Sequence, residues 1–225
     1  MMRGMGGVLH RLVTLMLLWV FHACAWAQPS ALHLDNSQGV VHVGSFLQYL
    51  EDPDHQFRLQ DLPPLHEGGA WKPALNVHGN VNLGYSHSAY WFALPISVSS
   101  GTTRERLLEV AFASLDHVEV YMPDDNGAYQ RQVSGDLYPF KQRPYPHRHM
   151  VFPLNLPTGD HVIYIRVESK GTLTVPINIW QVKAMHAHDQ YAYSLLSLYY
   201  GALLALFFYN FLIYLSTRET VFLFY

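Results

Sequence analysis

The fold class of this chain is decided by residues 172–179, which read TLTVPINI. Apolar and polar residues alternate along this segment, and the apolar set is Leu173, Val175, Ile177 and Ile179. Successive side chains of a β-strand point to opposite faces, so alternation with a period of two indicates a strand with one buried face. The segment therefore predicts a strand whose Leu, Val and Ile side chains face a core.

The same alternation recurs in two earlier segments, residues 117–122 (HVEVYM) and 163–168 (IYIRVE). Turn-forming residues separate such segments, for example PDDNG at 123–127 and PTGD at 157–160. Short strands at this spacing, without long amphipathic helices between them, are typical of sandwiches and jelly rolls. We therefore predict an all-β fold, a jelly-roll-like β-sandwich, in which residues 60–74, rich in Pro and Gly, form a long loop.

An apolar stretch follows the predicted strands. Residues 191–215 read YAYSLLSLYYGALLALFFYNFLIYL and contain no Asp, Glu, Lys or Arg. A helix of this length rises about 37 Å, more than the bilayer hydrocarbon core of about 30 Å. We predict a transmembrane α-helix at 191–215, preceded by a juxtamembrane linker at 183–190. Asn210 is its polar exception and needs a partner in the membrane. For residues 216–225 we predict a cytoplasmic turn followed by the truncated start of a second span.

The N-terminal residues have the pattern of an export signal. An apolar run at 12–21 (LVTLMLLWVF) is followed by the small-x-small motif AWA at 25–27. We predict a cleaved signal peptide at 1–27 and an exported sandwich domain at 28–182. The alternatives are an uncleaved membrane anchor and a lipoprotein modified at Cys24. Because Cys24 is the one cysteine, cleavage would leave a mature chain without a disulfide.

Composition argues against several classes of function. The net charge is −3 with 14% charged residues and no basic run, so a nucleic-acid partner is not predicted. Ser, His and Asp are all present, but no nucleophile elbow or other local motif gathers them. We therefore predict no catalytic residues and no enzyme, although paired carboxylates for glycoside hydrolysis stay open.

Histidine is abundant, with 14 residues, and two clusters have a spacing that a metal ion can bridge. His147 and His149 would lie on one face of a strand. His186 and His188 are followed directly by Asp189. Zinc sites need three or four ligands with supporting groups, which neither cluster supplies alone. We therefore predict no metal site and no cofactor, and interpret these histidines as solvated or structural.

Three segments together resemble a known family: residues 84–91 (GYSHSAYW), 115–121 (LDHVEVY) and 135–153 (GDLYPFKQRPYPHRHMVFP). Their order and spacing are similar to the type 2 extracellular domain of bacterial seven-transmembrane receptors with diverse intracellular signalling modules, or 7TMR-DISM. Residues 200–225 resemble the opening of the companion seven-helix membrane domain.

The resemblance implies a periplasmic jelly roll, similar to carbohydrate-binding modules, that is attached to helices in the bacterial inner membrane. It also implies a role in signal transduction. Relatives commonly end in a diguanylate cyclase or a histidine kinase, whereas this sequence resembles the sensor and the first membrane helix.

A carbohydrate-like small molecule is the ligand that we expect. Sugars are recognised by aromatic rings and planar hydrogen-bonding groups, and six such residues lie in predicted loops or strand ends: Tyr85, Tyr138, Arg143, Tyr145, His147 and Arg148. Arg143 and Arg148 could instead pair with acidic neighbours and hold the fold. Trp91 is predicted in the core, and Trp71 is either a surface platform or a loop anchor.

The sequence therefore predicts a periplasmic ligand-sensing input domain that passes a signal through the membrane helices. The alternative is a protein–protein interaction module that pairs with another copy or with another receptor's periplasmic domain. An exposed apolar face would favour that alternative, whereas a concave groove lined by aromatic residues would favour a small ligand.

Overall fold

The computed structural model describes residues 31–74 and 80–223. The predicted signal peptide at 1–27 lies outside the described residues. Twelve strands lie within them: β1 (Leu32–Leu34), β2 (Val40–His42), β3 (Gln48–Asp52), β4 (Lys72–Pro73), β5 (Asn80–Tyr85), β6 (Ala89–Val98), β7 (Glu105–Val110), β8 (His117–Pro123), β9 (Tyr129–Ser134), β10 (Met150–Asn155), β11 (Gly159–Glu168) and β12 (Thr172–Trp180).

The strands form two sheets. A seven-stranded sheet has the order β4-β3-β6-β11-β8-β9, with β1 added along β6. A five-stranded sheet has the order β10-β7-β12-β2, with β5 also paired to β12. Neighbouring strands are antiparallel, and the pairing of β1 with β6 is the parallel exception. The predicted all-β sandwich is confirmed.

The core lies between the two sheets. Because side chains alternate along a strand, each strand points one of its two faces into this core. Along β12, buried and half-buried residues alternate at every position. Ile177 of β12 is fully buried in one cluster with Phe152 of the same sheet and with Phe92 and Ile165 of the opposite sheet. The segment TLTVPINI therefore has its apolar face in the core, as predicted.

A second cluster covers the outer face of the seven-stranded sheet. Residues 60–74, predicted as a long loop, contain the helix α1 (Leu62–Glu67) and the strand β4. Proline is compatible with the first helical turn, where its missing N–H has no partner in any case, and this explains a helix in a Pro-rich segment. Leu62 and Trp71 from this segment pack on Trp91 and Tyr164 of the sheet. Trp91 is a core residue, as predicted, and Trp71 is a loop anchor.

The helix α2 (Val182–Thr217) follows β12 after a single residue and contains 36 residues. Residues 183–190, predicted as a linker, form its first two turns, so the sandwich and the predicted span are joined by continuous helix. Met185 packs on Leu107 and Val151, on the outer face of the five-stranded sheet. By length and composition α2 can cross a membrane. The residue after its end, Arg218, has a left-handed backbone conformation with φ 59°.

The alternation along β12 yields a direct test. Ile177→Asp places an unpaired charge in the core and should lower the free energy of unfolding by more than about 4 kcal/mol. Thr174→Asp, on the half-buried face of the same strand, should cost far less. Denaturant unfolding of the full chain in detergent, followed by the fluorescence of buried Trp71 and Trp91, measures both. Equal losses would contradict the assignment of faces.

Candidate functional site

The β9–β10 loop, residues 135–149, carries five of the six predicted binding residues. It begins at Gly135, where an added Cβ would lie 2.1 Å from the carbonyl oxygen of Asp116. Glycine is therefore required for the loop to pass so close to the start of β8. The backbone N–H of Asp136 donates to the carbonyl of Leu115 at 2.8 Å and completes this attachment.

A cleft of about 310 Å³ lies where the loop begins. Its lining residues come from loops and strand ends of the seven-stranded sheet: His55, His87, Asp116, His117, Leu137, Glu168, Ser169 and Lys170. Two carboxylates, three imidazoles and a lysine give it both hydrogen-bond donors and acceptors. The Leu137 side chain is 73% exposed and supplies apolar surface at its edge.

His55 closes one wall of the cleft and is held in the left-handed region, with φ 54°. Its Nδ1 lies 2.8 Å from a carboxylate oxygen of Glu168, and its Nε2 lies 2.9 Å from the carbonyl oxygen of His87. Both partners accept hydrogen bonds, so this geometry favours the doubly protonated ring. The hydrogen bonds with Glu168 and with the His87 carbonyl raise the pKa of His55 above its usual value.

A network of hydrogen bonds and ion pairs around the buried Glu119 orients His117 on the opposite wall. The Tyr138 hydroxyl donates to Nδ1 of His117 at 2.6 Å, and Nε2 of His117 donates to Glu119 at 2.6 Å. Arg131 donates to both carboxylate oxygens of Glu119, at 2.7 and 3.1 Å, and the Tyr121 hydroxyl donates to it as well. His117 is thereby fixed in one orientation.

The charges in this network shift two pKa values. Burial by itself would raise the pKa of Glu119, but hydrogen bonds from His117, Arg131 and Tyr121 outweigh it and hold that pKa far below its usual range. Burial and the adjacent Glu119 carboxylate raise the pKa of Tyr121 to about 12. Glu119 is therefore ionised in the folded protein at neutral pH.

Arg143 shapes the second half of the β9–β10 loop. Its Nη1 donates to the backbone carbonyls of His147, Arg148 and His149, at 2.7, 3.2 and 3.3 Å. The guanidinium also lies 5.0 Å from the centroid of the Phe140 ring. These hydrogen bonds hold residues 143–149 in a closed turn, so the guanidinium has a structural role in the loop.

Three predicted binding residues meet the helix α2. The Tyr145 hydroxyl lies 2.8 Å from Nε2 of His186. Nε2 of His147 lies 3.0 Å from a carboxylate oxygen of Asp189, and the guanidinium of Arg148 lies 3.6 Å from the other. Arg148 also stacks over the Tyr193 ring, 5.2 Å from its centroid. The end of the loop therefore holds the first three turns of α2.

The tautomer of His147 follows from its neighbours. The backbone N–H of His149 donates to Nδ1 of His147 at 3.1 Å, so the ring proton is on Nε2, which donates to Asp189. Burial lowers the pKa of His147, against the effect of Asp189. The neutral ring thus links the loop to a charged residue of the helix.

The six predicted binding residues fall into two groups. Tyr85, the last residue of β5, is 81% exposed two positions before His87, which lines the cleft, and Tyr138 contacts His117, which lines it too. Arg143, Tyr145, His147 and Arg148 are instead engaged by the loop itself or by α2. Ligand binding by any of the six stays a prediction.

Sequence reasoning missed most residues of the cleft. His55 and Glu168 are 113 positions apart, and no local pattern pairs them. The alternating pattern around His117 and Glu119 predicted the strand β8. It did not indicate that the Glu119 side chain, on one face of that strand, is buried. A charged residue at an outward position of a strand usually indicates solvent, whereas here α1 and its flanking segments cover part of that face.

A family model described as 7TMR-DISM extracellular 2 matches residues 44–181. The match begins before β3 and ends at the residue that precedes α2, so it includes the cleft and the whole β9–β10 loop. A search of curated proteins found no match.

The Glu119 network makes stability depend on pH. Glu119→Gln removes the buried charge that pairs with the half-exposed Arg131 and should cost about 2 kcal/mol at pH 7, the scale of hydrogen bonds to a charged group. Because folding lowers the pKa of Glu119, its contribution is complete above the ordinary pKa of the carboxyl and is lost as the pH falls through the folded value. The stability gap between wild type and variant should therefore narrow in acid.

Thermal melts of the full chain from pH 7 downward measure that gap. Glu105→Gln, an exposed glutamate at the start of β7, is the matched control and should show little difference at any pH. A gap for Glu119→Gln that stays constant down to the lowest pH reached before unfolding would contradict the network.

Proposed function

Because the chain belongs to the 7TMR-DISM extracellular 2 family, we propose that its sandwich senses a small, carbohydrate-like ligand and passes the signal into α2. The chain is an extracellular sensor-like domain of a membrane receptor, followed by an apolar helix. We place the sandwich in the periplasm of a bacterium and α2 in the inner membrane, with the signal peptide at 1–27 removed.

The cleft is our proposed binding site. Its volume of about 310 Å³ is at the small end of the range for small-molecule sites. Sugar hydroxyls need both donors and acceptors, and Lys170, Asp116 and Glu168 can provide them. Leu137 lines the cleft with exposed apolar surface on which the face of a sugar ring can pack, and we propose that the exposed ring of Tyr85, two positions before the cleft residue His87, adds to it.

One observation carries the proposal: the β9–β10 loop reaches both the cleft and the helix. Leu137 lines the cleft and Tyr138 holds His117 there, whereas His147 and Arg148 hold Asp189 of α2. Arg143 stiffens the chain between these contacts by binding three carbonyls. A ligand that displaces Leu137 would therefore shift His147 and Arg148, which contact Asp189 of α2.

A second candidate function is recognition of a partner receptor's periplasmic domain. Three large side chains near the cleft and the loop are exposed: Tyr85 at 81%, Leu137 at 73% and Phe140 at 57%. Leu137 and Phe140 belong to the same loop, and large apolar side chains left exposed on one loop favour an interaction surface. No catalytic domain is evident in the matched or described residues, and we propose no enzymatic role for this chain.

A thermal-shift screen of monosaccharides, disaccharides and cell-wall fragments on the full chain in detergent tests the binding site. A ligand should raise the melting temperature of wild type by mass action. Tyr85→Ala and Lys170→Ala should abolish that rise and leave the ligand-free melting temperature within a few degrees. Lys72→Ala, an exposed lysine on β4, is the control and should respond like wild type.

Arg143→Ala separates structure from binding in the same screen. Its loss leaves three carbonyls without their donor, two of them in partly buried hydrogen bonds, and should lower the ligand-free melting temperature, since a typical hydrogen bond contributes about 1 kcal/mol to stability. Retention of the ligand response by both Tyr85→Ala and Lys170→Ala would contradict the cleft assignment. Self-association that Leu137→Ala and Phe140→Ala abolish, without any ligand response, would favour the partner-binding function.

A further inference from the structure

We propose that Glu109, His147 and His149 bind a divalent transition-metal ion, with Zn²⁺ as the best fit, where the sandwich meets α2. One ligand atom from each residue lies within 4.8 Å of those from the other two. Glu109 comes from β7 and the two histidines from the end of the β9–β10 loop. This metal site is separate from the cleft and does not depend on it.

The third ligand is what the sequence pattern lacked. His147 and His149 alone supply two imidazoles, which is too few for a zinc site. Glu109 lies some 40 positions earlier and reaches them because β7 pairs with β10, with Val151 opposite Glu109. Two imidazoles and one carboxylate are a ligand set that Zn²⁺ favours, and they leave a fourth position for water or a ligand.

Glu109 is held in a ligand-like position. Its side chain is 8% exposed, and one oxygen, Oε2, accepts hydrogen bonds from Nε1 of Trp180 at 2.7 Å and Nδ2 of Asn178 at 3.1 Å. The other oxygen, Oε1, faces the histidines and lies 2.6 Å from Nδ1 of His149. A metal ion would take the place of the proton shared by these two atoms.

His147 has the supporting contact that ligating histidines usually have. Its Nε2 proton is donated to Asp189 at 3.0 Å, whereas its Nδ1 accepts the backbone N–H of His149 at 3.1 Å, a hydrogen bond that a metal ion bound at Nδ1 would replace. A carboxylate that accepts from one ring nitrogen fixes the ring and raises the basicity of the other nitrogen. Asp189 therefore supports the site from the helix α2.

The burial of the cluster sets it apart from a surface group of acidic residues. Glu109 and His147 are buried, and the His149 side chain is 29% exposed, which leaves a route for the ion from solvent. A metal ion here would tie β7 and the β9–β10 loop together and, through Asp189, would tie both to the helix. Metal occupancy would thus stiffen the joint between the sandwich and α2.

The test is Zn²⁺ titration of the full chain in detergent by calorimetry after removal of metal with a chelator. Visible absorption of the Co²⁺-substituted protein reports the coordination geometry. We expect one tight Zn²⁺ per chain and the strong absorption of four-coordinate Co²⁺. His149→Ala and Glu109→Gln should abolish both, and Asp189→Asn should weaken Zn²⁺ binding about 10- to 100-fold.

His33→Ala is the matched control, because His33 is an exposed histidine on β1, in the seven-stranded sheet and not in the sheet that carries Glu109. It should bind Zn²⁺ like wild type. Near-ultraviolet circular dichroism in chelator identifies any variant that fails to fold. If Glu109→Gln does not fold because Glu109 is buried, the Zn²⁺ binding of His149→Ala, a change at a partly exposed residue, tests the proposal. Wild-type Zn²⁺ binding in folded His149→Ala, or no tight Zn²⁺ in wild type, would overturn the proposal.

Discussion

The hydrogen bond from His147 to Asp189 is the contact on which the connection between the sandwich and the helix depends. It is largely withdrawn from water, with the His147 side chain 5% and the Asp189 side chain 16% exposed. Breaking it would leave a partly buried carboxylate with Arg148 as a more distant partner. Other features serve this contact: Arg143 folds the loop that presents His147, and Met185 packs the helix onto the sheet.

The β9–β10 loop contacts the cleft at its start and the helix α2 at its end. At its start, Gly135 permits a close approach to Asp116, and Tyr138 is tied to a network centred on Glu119. At its end, the loop is tied to α2, which continues without a break from the sheet into the apolar span. Because the helix is rigid, a displacement of the loop end must either move α2 or break the contacts between the loop and α2.

The sequence was sufficient for the sandwich because a strand with one buried face must alternate, and 172–179 does so without exception. It was insufficient for the site because the decisive contacts join distant residues. Tyr145, His147 and Arg148 were predicted as binding residues from their chemistry, which suits a sugar and a helix equally well. Glu109 contacts His149 across 40 positions, and only the pairing of β7 with β10 brings them together.

The central claim is that the β9–β10 loop connects the cleft to α2, and hydrogen exchange tests it most directly. Gly135→Ala forces the loop away from Asp116 at its cleft end, far along the chain from His147. In the full chain it should speed amide exchange at residues 186–190 of α2. Gly127→Ala, which strains the β8–β9 turn without a steric clash, should not. Faster exchange confined to the start of the loop, with unchanged exchange at 186–190, would contradict the account.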